Sequence, residues 1–115
     1  MKMSECIKRD NLLVAYLLEH KGAENAVSRH EIARFIRSKG YPQSPDTVHG
    51  IIQRLLCERH LPICSLNRKG YFWAKSKSDI LGCISSLNSR INALQEHIDN
   101  LKYFIIIRSM YLYII

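Results

Sequence analysis

The side chains that could do chemistry are concentrated between residues 28 and 77. Ten cations fall there (Arg29, Arg34, Arg37, Lys39, Arg54, Arg59, Arg68, Lys69, Lys75 and Lys77) against three anions (Glu31, Asp46 and Glu58). The segment therefore carries the whole net charge of +7, and the flanking sequence is neutral. A basic block between neutral flanks is the electrostatic footprint of a polyanionic partner; its plain alternative is a solvated basic surface. Polar side chains that read bases lie in the same block. Gln53 has the amide that bonds bidentately to adenine, and Arg54 the guanidinium that suits guanine or a phosphate. Thr47 has a hydroxyl and a methyl, fit for a phosphate or a thymine.

Other chemistries find less support. Cys57, His60 and Cys64 have C-x2-H-x3-C spacing, with Cys83 or Cys6 to complete a set. Structural zinc sites show paired C-x2-C or H-x3-H spacing, and here Leu61 and Pro62 intervene, so small buried thiols are the reading. The histidines (His20, His30, His49, His60 and His97) are dispersed, and none stands by a nucleophile with an orienting carboxylate. With no glycine-rich phosphate loop and no carboxylate pair, we expect no enzyme, no metal and no cofactor.

The elements that must position these residues can be read from periodicity. A chain of 115 residues, 47% apolar and 23% charged, is globular and supports one compact core with an appended element. A first helix is expected over residues 8–21, with Leu12, Leu13, Tyr16 and Leu17 on one face and Gly22 as its stop. Ser28-Arg29-His30-Glu31 is a capping box opening a second helix, whose apolar face is Ile32, Phe35 and Ile36 and which Gly40 ends. The third starts at Ser44, with Pro45 at the first helical position and Asp46 near the positive end of the dipole. Val48, Ile51, Ile52, Leu55 and Leu56 form its buried stripe; Asp46, Gly50, Gln53 and Arg54 lie opposite, with Thr47 and His49 on the flanks. Gly50 is the odd choice, since an exposed helical glycine costs about 1 kcal/mol relative to alanine. Close approach of a partner explains it, and so does a neutral surface position.

A hairpin follows. Ile63-Cys64-Ser65-Leu66 and Tyr71-Phe72-Trp73-Ala74 are strand-like runs joined by Asn67-Arg68-Lys69-Gly70, a turn carrying two cations. Ser78-Asp79 then opens a long helix. Ile84, Ile91, Ile98 and Ile105 alternate with Leu87, Leu94 and Leu101 in a heptad pattern, the Ile-at-a, Leu-at-d arrangement that favours two parallel strands. The alternative is one long helix packed on its own domain. Arg90 and Lys102 at the flanking positions do not complement each other, so chain orientation is open.

Helix, helix, short turn, helix and basic-tipped hairpin resemble the winged helix-turn-helix modules of bacteria and their phages. The likeness rests on Ser28-Arg29-His30-Glu31-Ile32-Ala33, Ser44-Pro45-Asp46-Thr47-Val48 and Gly70-Tyr71-Phe72-Trp73-Ala74, and covers under half of the chain. It implies a mainly α fold with an α+β wing: a winged-helix domain over residues 1–77 and a dimerisation helix with an apolar tail over 78–115. It implies double-stranded DNA as partner, the third helix in the major groove and the wing on the backbone. The DNA-contacting set would be Arg29, Ser44, Thr47, His49, Gly50, Gln53, Arg54, Arg68, Lys69, Lys75 and Lys77. Ile84, Leu87, Ile91, Leu94, Ile98, Leu101 and Ile105 would join two copies. The expected use is transcriptional regulation of phage or mobile-element type, with replication or recombination roles open. A phage-type effector or antirepressor that binds a host protein is the competing class.

The N-terminus shows no apolar run before a cleavage site, and four cysteines make no disulfide framework, so a reducing cytoplasm is expected. Residues 103–115 are very apolar but contain Arg108 and fall short of the about 20 residues of a membrane span. Exposed, they would be an aggregation hazard; burial in a dimer is the expectation, and attachment to a membrane surface the sharper alternative.

Overall fold

The computed structural model describes residues 1–65 and 70–114, with side chains among them up to Met110. The chain is mainly helical, with one small antiparallel sheet and a long C-terminal helix. In order come α1 (Met3–Leu18), a 3-10 turn (Ala23–Asn25), α2 (Arg29–Ser38), a second 3-10 turn (Pro45–Thr47), α3 (Val48–Arg59), β1 (Ile63–Ser65), β2 (Tyr71–Trp73) and α4 (Lys77–Ile114). It divides into two compact units, Met1–Cys83 and Ile84–Ile115.

The first unit is organised around one apolar core. Leu13 and Leu17 from α1, Ile32, Ala33 and Ile36 from α2, and Val48, Ile51, Ile52 and Leu55 from α3 meet Val27, Ile63 and Phe72 there. The stripe expected on α3 is buried through Leu55, whereas Leu56 lies at its margin. Each of the Leu, Ile, Val and Phe side chains stabilises the fold by about 1.5–3 kcal/mol of apolar transfer. Tyr16 of α1 stacks on Phe35 of α2 with ring centroids 4.3 Å apart.

The sheet pairs Ile63 with Trp73, Cys64 with Phe72 and Ser65 with Tyr71. The free edge of β2 is taken up by the segment between α1 and α2: Trp73 donates to His20 O at 2.8 Å, Gly22 donates to Trp73 O at 2.9 Å, and Val27 and Tyr71 exchange both backbone bonds at 2.8 Å. That pairing explains why α1 stops at Leu18 rather than at residue 21. Main-chain groups of residues 20–22 are drawn onto β2, and Gly22 takes φ +85° to make the bend. At its other end α1 begins earlier than expected, at Met3.

Gly70 enters β2 at φ +94°, and a Cβ there would lie 2.2 Å from Val27 O. Only glycine permits both that conformation and that approach.

Two helix starts shift slightly. Ser44 caps the 3-10 turn, its Oγ accepting from Asp46 N–H at 3.2 Å, and α3 proper follows from Val48. The fourth helix starts at Lys77, with Ser76 Oγ accepting from Asp79 N–H and Asp79 Oδ2 accepting from Lys75 N–H at 2.9 Å. The box at Ser28 is half made: Ser28 Oγ accepts from Glu31 N–H at 3.1 Å, and no return bond from Ser28 N–H to Glu31 occurs among the described residues.

In the second unit, the seven heptad positions from Ile84 to Ile105 are each 45–63% exposed. Tyr103, Phe104 and Ile106 are exposed as well, so the apolar surface spreads around the helix near its end. Among the described residues no helix is long and apolar enough to cross a membrane.

Candidate functional site

Packing of the buried stripe fixes which edge of α3 faces outward. With Val48, Ile51, Ile52 and Leu55 in the core, Thr47, His49, Gly50 and Gln53 stand on the exposed side. A Cβ at Gly50 would meet nothing within 4 Å, so the space beside it is open. Thr47 is partly committed to its own turn: its hydroxyl donates to Ser44 O at 3.1 Å and accepts from the amide of the buried Gln43 at 2.6 Å. One acceptor lone pair of Thr47 is left over. Gln53 makes no side-chain bond among the described residues and is exposed.

Arg54 behaves differently from the expectation. Its Nη2 donates to Asp10 of α1 at 2.6 Å and its Nη1 to Glu58 at 3.0 Å. Asp10 is 2% exposed and is bonded also by Arg9 at 3.2 Å. A buried carboxylate needs a partner, and Arg54 supplies it. Its Asp10 hydrogen bond raises the guanidinium pKa above the ordinary value against the opposing effect of burial. We therefore place Arg54 in the framework that fixes α3 on α1, rather than among the outward donors.

The other expected cations are also partly engaged. Arg29, at the first turn of α2, is exposed and lies 4.0 Å from the Asp46 carboxylate. Lys75 pairs with Glu24 of the 3-10 turn; their mutual hydrogen bond lowers the Glu24 pKa and raises that of Lys75. Lys77 is exposed at the start of α4, and Ser44 is exposed at its cap position. Arg68 and Lys69 lie outside the described residues.

Two participants were not legible in the sequence. The Tyr71 hydroxyl lies 2.7 Å from His49 Nδ1, joining β2 to the exposed edge of α3. Burial raises the Tyr71 pKa, with Arg29 opposing the shift, so the phenol keeps its proton at neutral pH. Asp10 is the second, hidden in the sequence as one more charge on an amphipathic helix. An acid at a position that the helical period places beside Leu13 and Leu17 was the available signal.

The cysteines differ in exposure. Cys57 is exposed, Cys64 buried, and Cys6 and Cys83 intermediate. Cys64 is pushed up to about 12 by burial first and then by the neighbouring Cys83 thiol. No group of three or more His, Cys, Asp or Glu side chains suited to a metal ion occurs among the described residues. No family model, curated protein or solved structure matches the chain.

Proposed function

We propose that this chain is a winged-helix protein of the cytoplasm that binds double-stranded DNA as a homodimer and serves as a transcriptional regulator of phage or mobile-element type. In this reading α3 enters the major groove and the β1–β2 hairpin follows the backbone. The observation that carries it is the exposed edge at the start of α3: Thr47 just before it and His49, Gly50 and Gln53 on it stand outward, opposite a buried apolar face, within the segment that holds the net charge. Such an edge suits a groove about 12 Å wide, lined with hydrogen-bonding groups.

The heptad face of the second unit supplies the dimer in this proposal. Seven half-exposed Ile and Leu side chains on each of two chains gain roughly 10–20 kcal/mol on mutual burial, at about half of 1.5–3 kcal/mol each. The upper part of that range exceeds the roughly 4–15 kcal/mol cost of association.

A second reading has a specific observation behind it. Arg54, Arg29 and Lys75 each have an acidic neighbour within the chain, which reduces the charge offered to phosphate and favours a protein-directed surface such as a phage effector would use.

Salt separates the two. Fluorescence anisotropy of a random-sequence duplex, titrated at several salt concentrations, should give a log K slope of about −0.9 per phosphate contacted. Arg68→Ala with Lys69→Ala should flatten that slope by about two such increments. Absence of binding at low salt would refute the DNA reading, and an unchanged slope in the double variant would refute the role of the hairpin tip.

A further inference from the structure

The bond between His49 and Tyr71 connects residues 22 apart in sequence, on two different elements, at the exposed edge of α3. Tyr71 is held firmly. Its backbone exchanges two 2.8 Å bonds with Val27, and Gly70 before it is pressed against the same residue's carbonyl. The phenol is half-buried and the imidazole is exposed, the rings 6.3 Å apart and tilted by 35°. His49 Nε2 has no partner among the described residues.

A neutral imidazole carries one proton, and the nitrogen that accepts a bond leaves the other as donor. A phenol that keeps its proton can donate to Nδ1 or accept from it; as the donor, it places the imidazole proton on Nε2. We infer that Tyr71 is a positioning residue that holds His49 in the Nε2–H form, so that His49 donates to a phosphate oxygen of a DNA backbone. The inference rests on the DNA reading above and deepens it, by naming the ligand atom and the residue behind the contact. Phosphate is preferred over a base edge because His49 sits on the flank of α3, on the side of β2, where a helix lying in the groove meets the groove wall. A neutral donor also has a recognisable signature: it adds affinity without releasing a counterion, unlike a lysine or arginine at the same place.

The test uses the full chain and the same random-sequence duplex. Imidazole proton–nitrogen correlation spectra at pH 7.5 should show His49 Nδ1 as acceptor and Nε2 as protonated. His49→Gln and Tyr71→Phe should each weaken binding about threefold to tenfold, the worth of one hydrogen bond, and leave the salt slope at its original value. Combined, they should cost no more than either alone, because Tyr71 acts through His49. Arg29→Gln serves as the contrast and should flatten the slope by about one increment. An Nδ1–H spectrum, or additive losses in a chain that binds DNA, would overturn the coupling while leaving the DNA reading intact. A chain that binds no duplex would refute the DNA reading and the phosphate role together, with the spectrum still deciding whether Tyr71 sets the tautomer.

Discussion

Replacing Asp10 by Asn tests whether the α1–α3 ion pair holds the first unit together. The carboxylate is 3% exposed and receives bonds from Arg54 at 2.6 Å and Arg9 at 3.2 Å. Asparagine keeps one acceptor oxygen but removes the charge and turns an amide NH2 toward one of the guanidinium groups. Breaking a wholly buried pair costs about 3–5 kcal/mol. Here Arg54 is 41% exposed and retains Glu58, so water and the second acid compensate part of the loss. The expected destabilisation is about 2–3 kcal/mol after that discount. For a unit of this size it corresponds to a fall in Tm of roughly 10–20 °C. The chain's one tryptophan, Trp73, lies in β2 and reports the first unit alone, so urea unfolding followed by its fluorescence is the assay. A loss under about 0.5 kcal/mol would refute the pairing, as surface substitutions without a structural role fall in that range. A double-mutant cycle with Arg54→Gln guards against an indirect effect: coupling should exceed about 1 kcal/mol, and additivity would show that the two residues act separately.

Three more predictions follow from the same structure. Leu94→Asp places a charge at the middle of the heptad face, so a chain that sediments as a dimer should become a monomer at micromolar concentration; persistence of the dimer would exclude this face as the interface. Cys64 should resist thiol reagents at neutral pH while the exposed Cys57 reacts, and unfolding should release it. The same thiol makes the fold sensitive to alkali. Above pH 9.0 the unfolded chain loses a proton that the native state holds until about 12, so the Trp73-monitored stability should fall as pH rises through that window, and Cys64→Ala should lessen the fall.

The sequence by itself determined what depends on neighbours along the chain. Ser28 and Ser44 set helix starts because a hydroxyl reaches amides two or three residues ahead, and the 3.6-residue period places Val48, Ile51, Ile52 and Leu55 on one side of α3. The two strands fall within the strand-like runs at 63–66 and 71–74, whereas their register, Ser65 opposite Tyr71, is one residue off the pairing that a four-residue turn at 67–70 would give. The heptad of α4 is written residue by residue in the same way.

Tertiary structure decided what depends on groups far apart in sequence. Periodicity put Arg54 on the outer side of α3, which is correct for its Cα, but a long side chain reaches back to a buried carboxylate 44 residues away because an unpaired charge there is costly. The end of α1 was likewise settled by β2, whose free edge offers main-chain partners to residues 20–22 that one more turn of helix would have denied it. The His49–Tyr71 bond belongs to the same class. Local periodicity constrains the backbone and the direction of each Cβ, whereas side-chain partners are chosen only when the elements have packed.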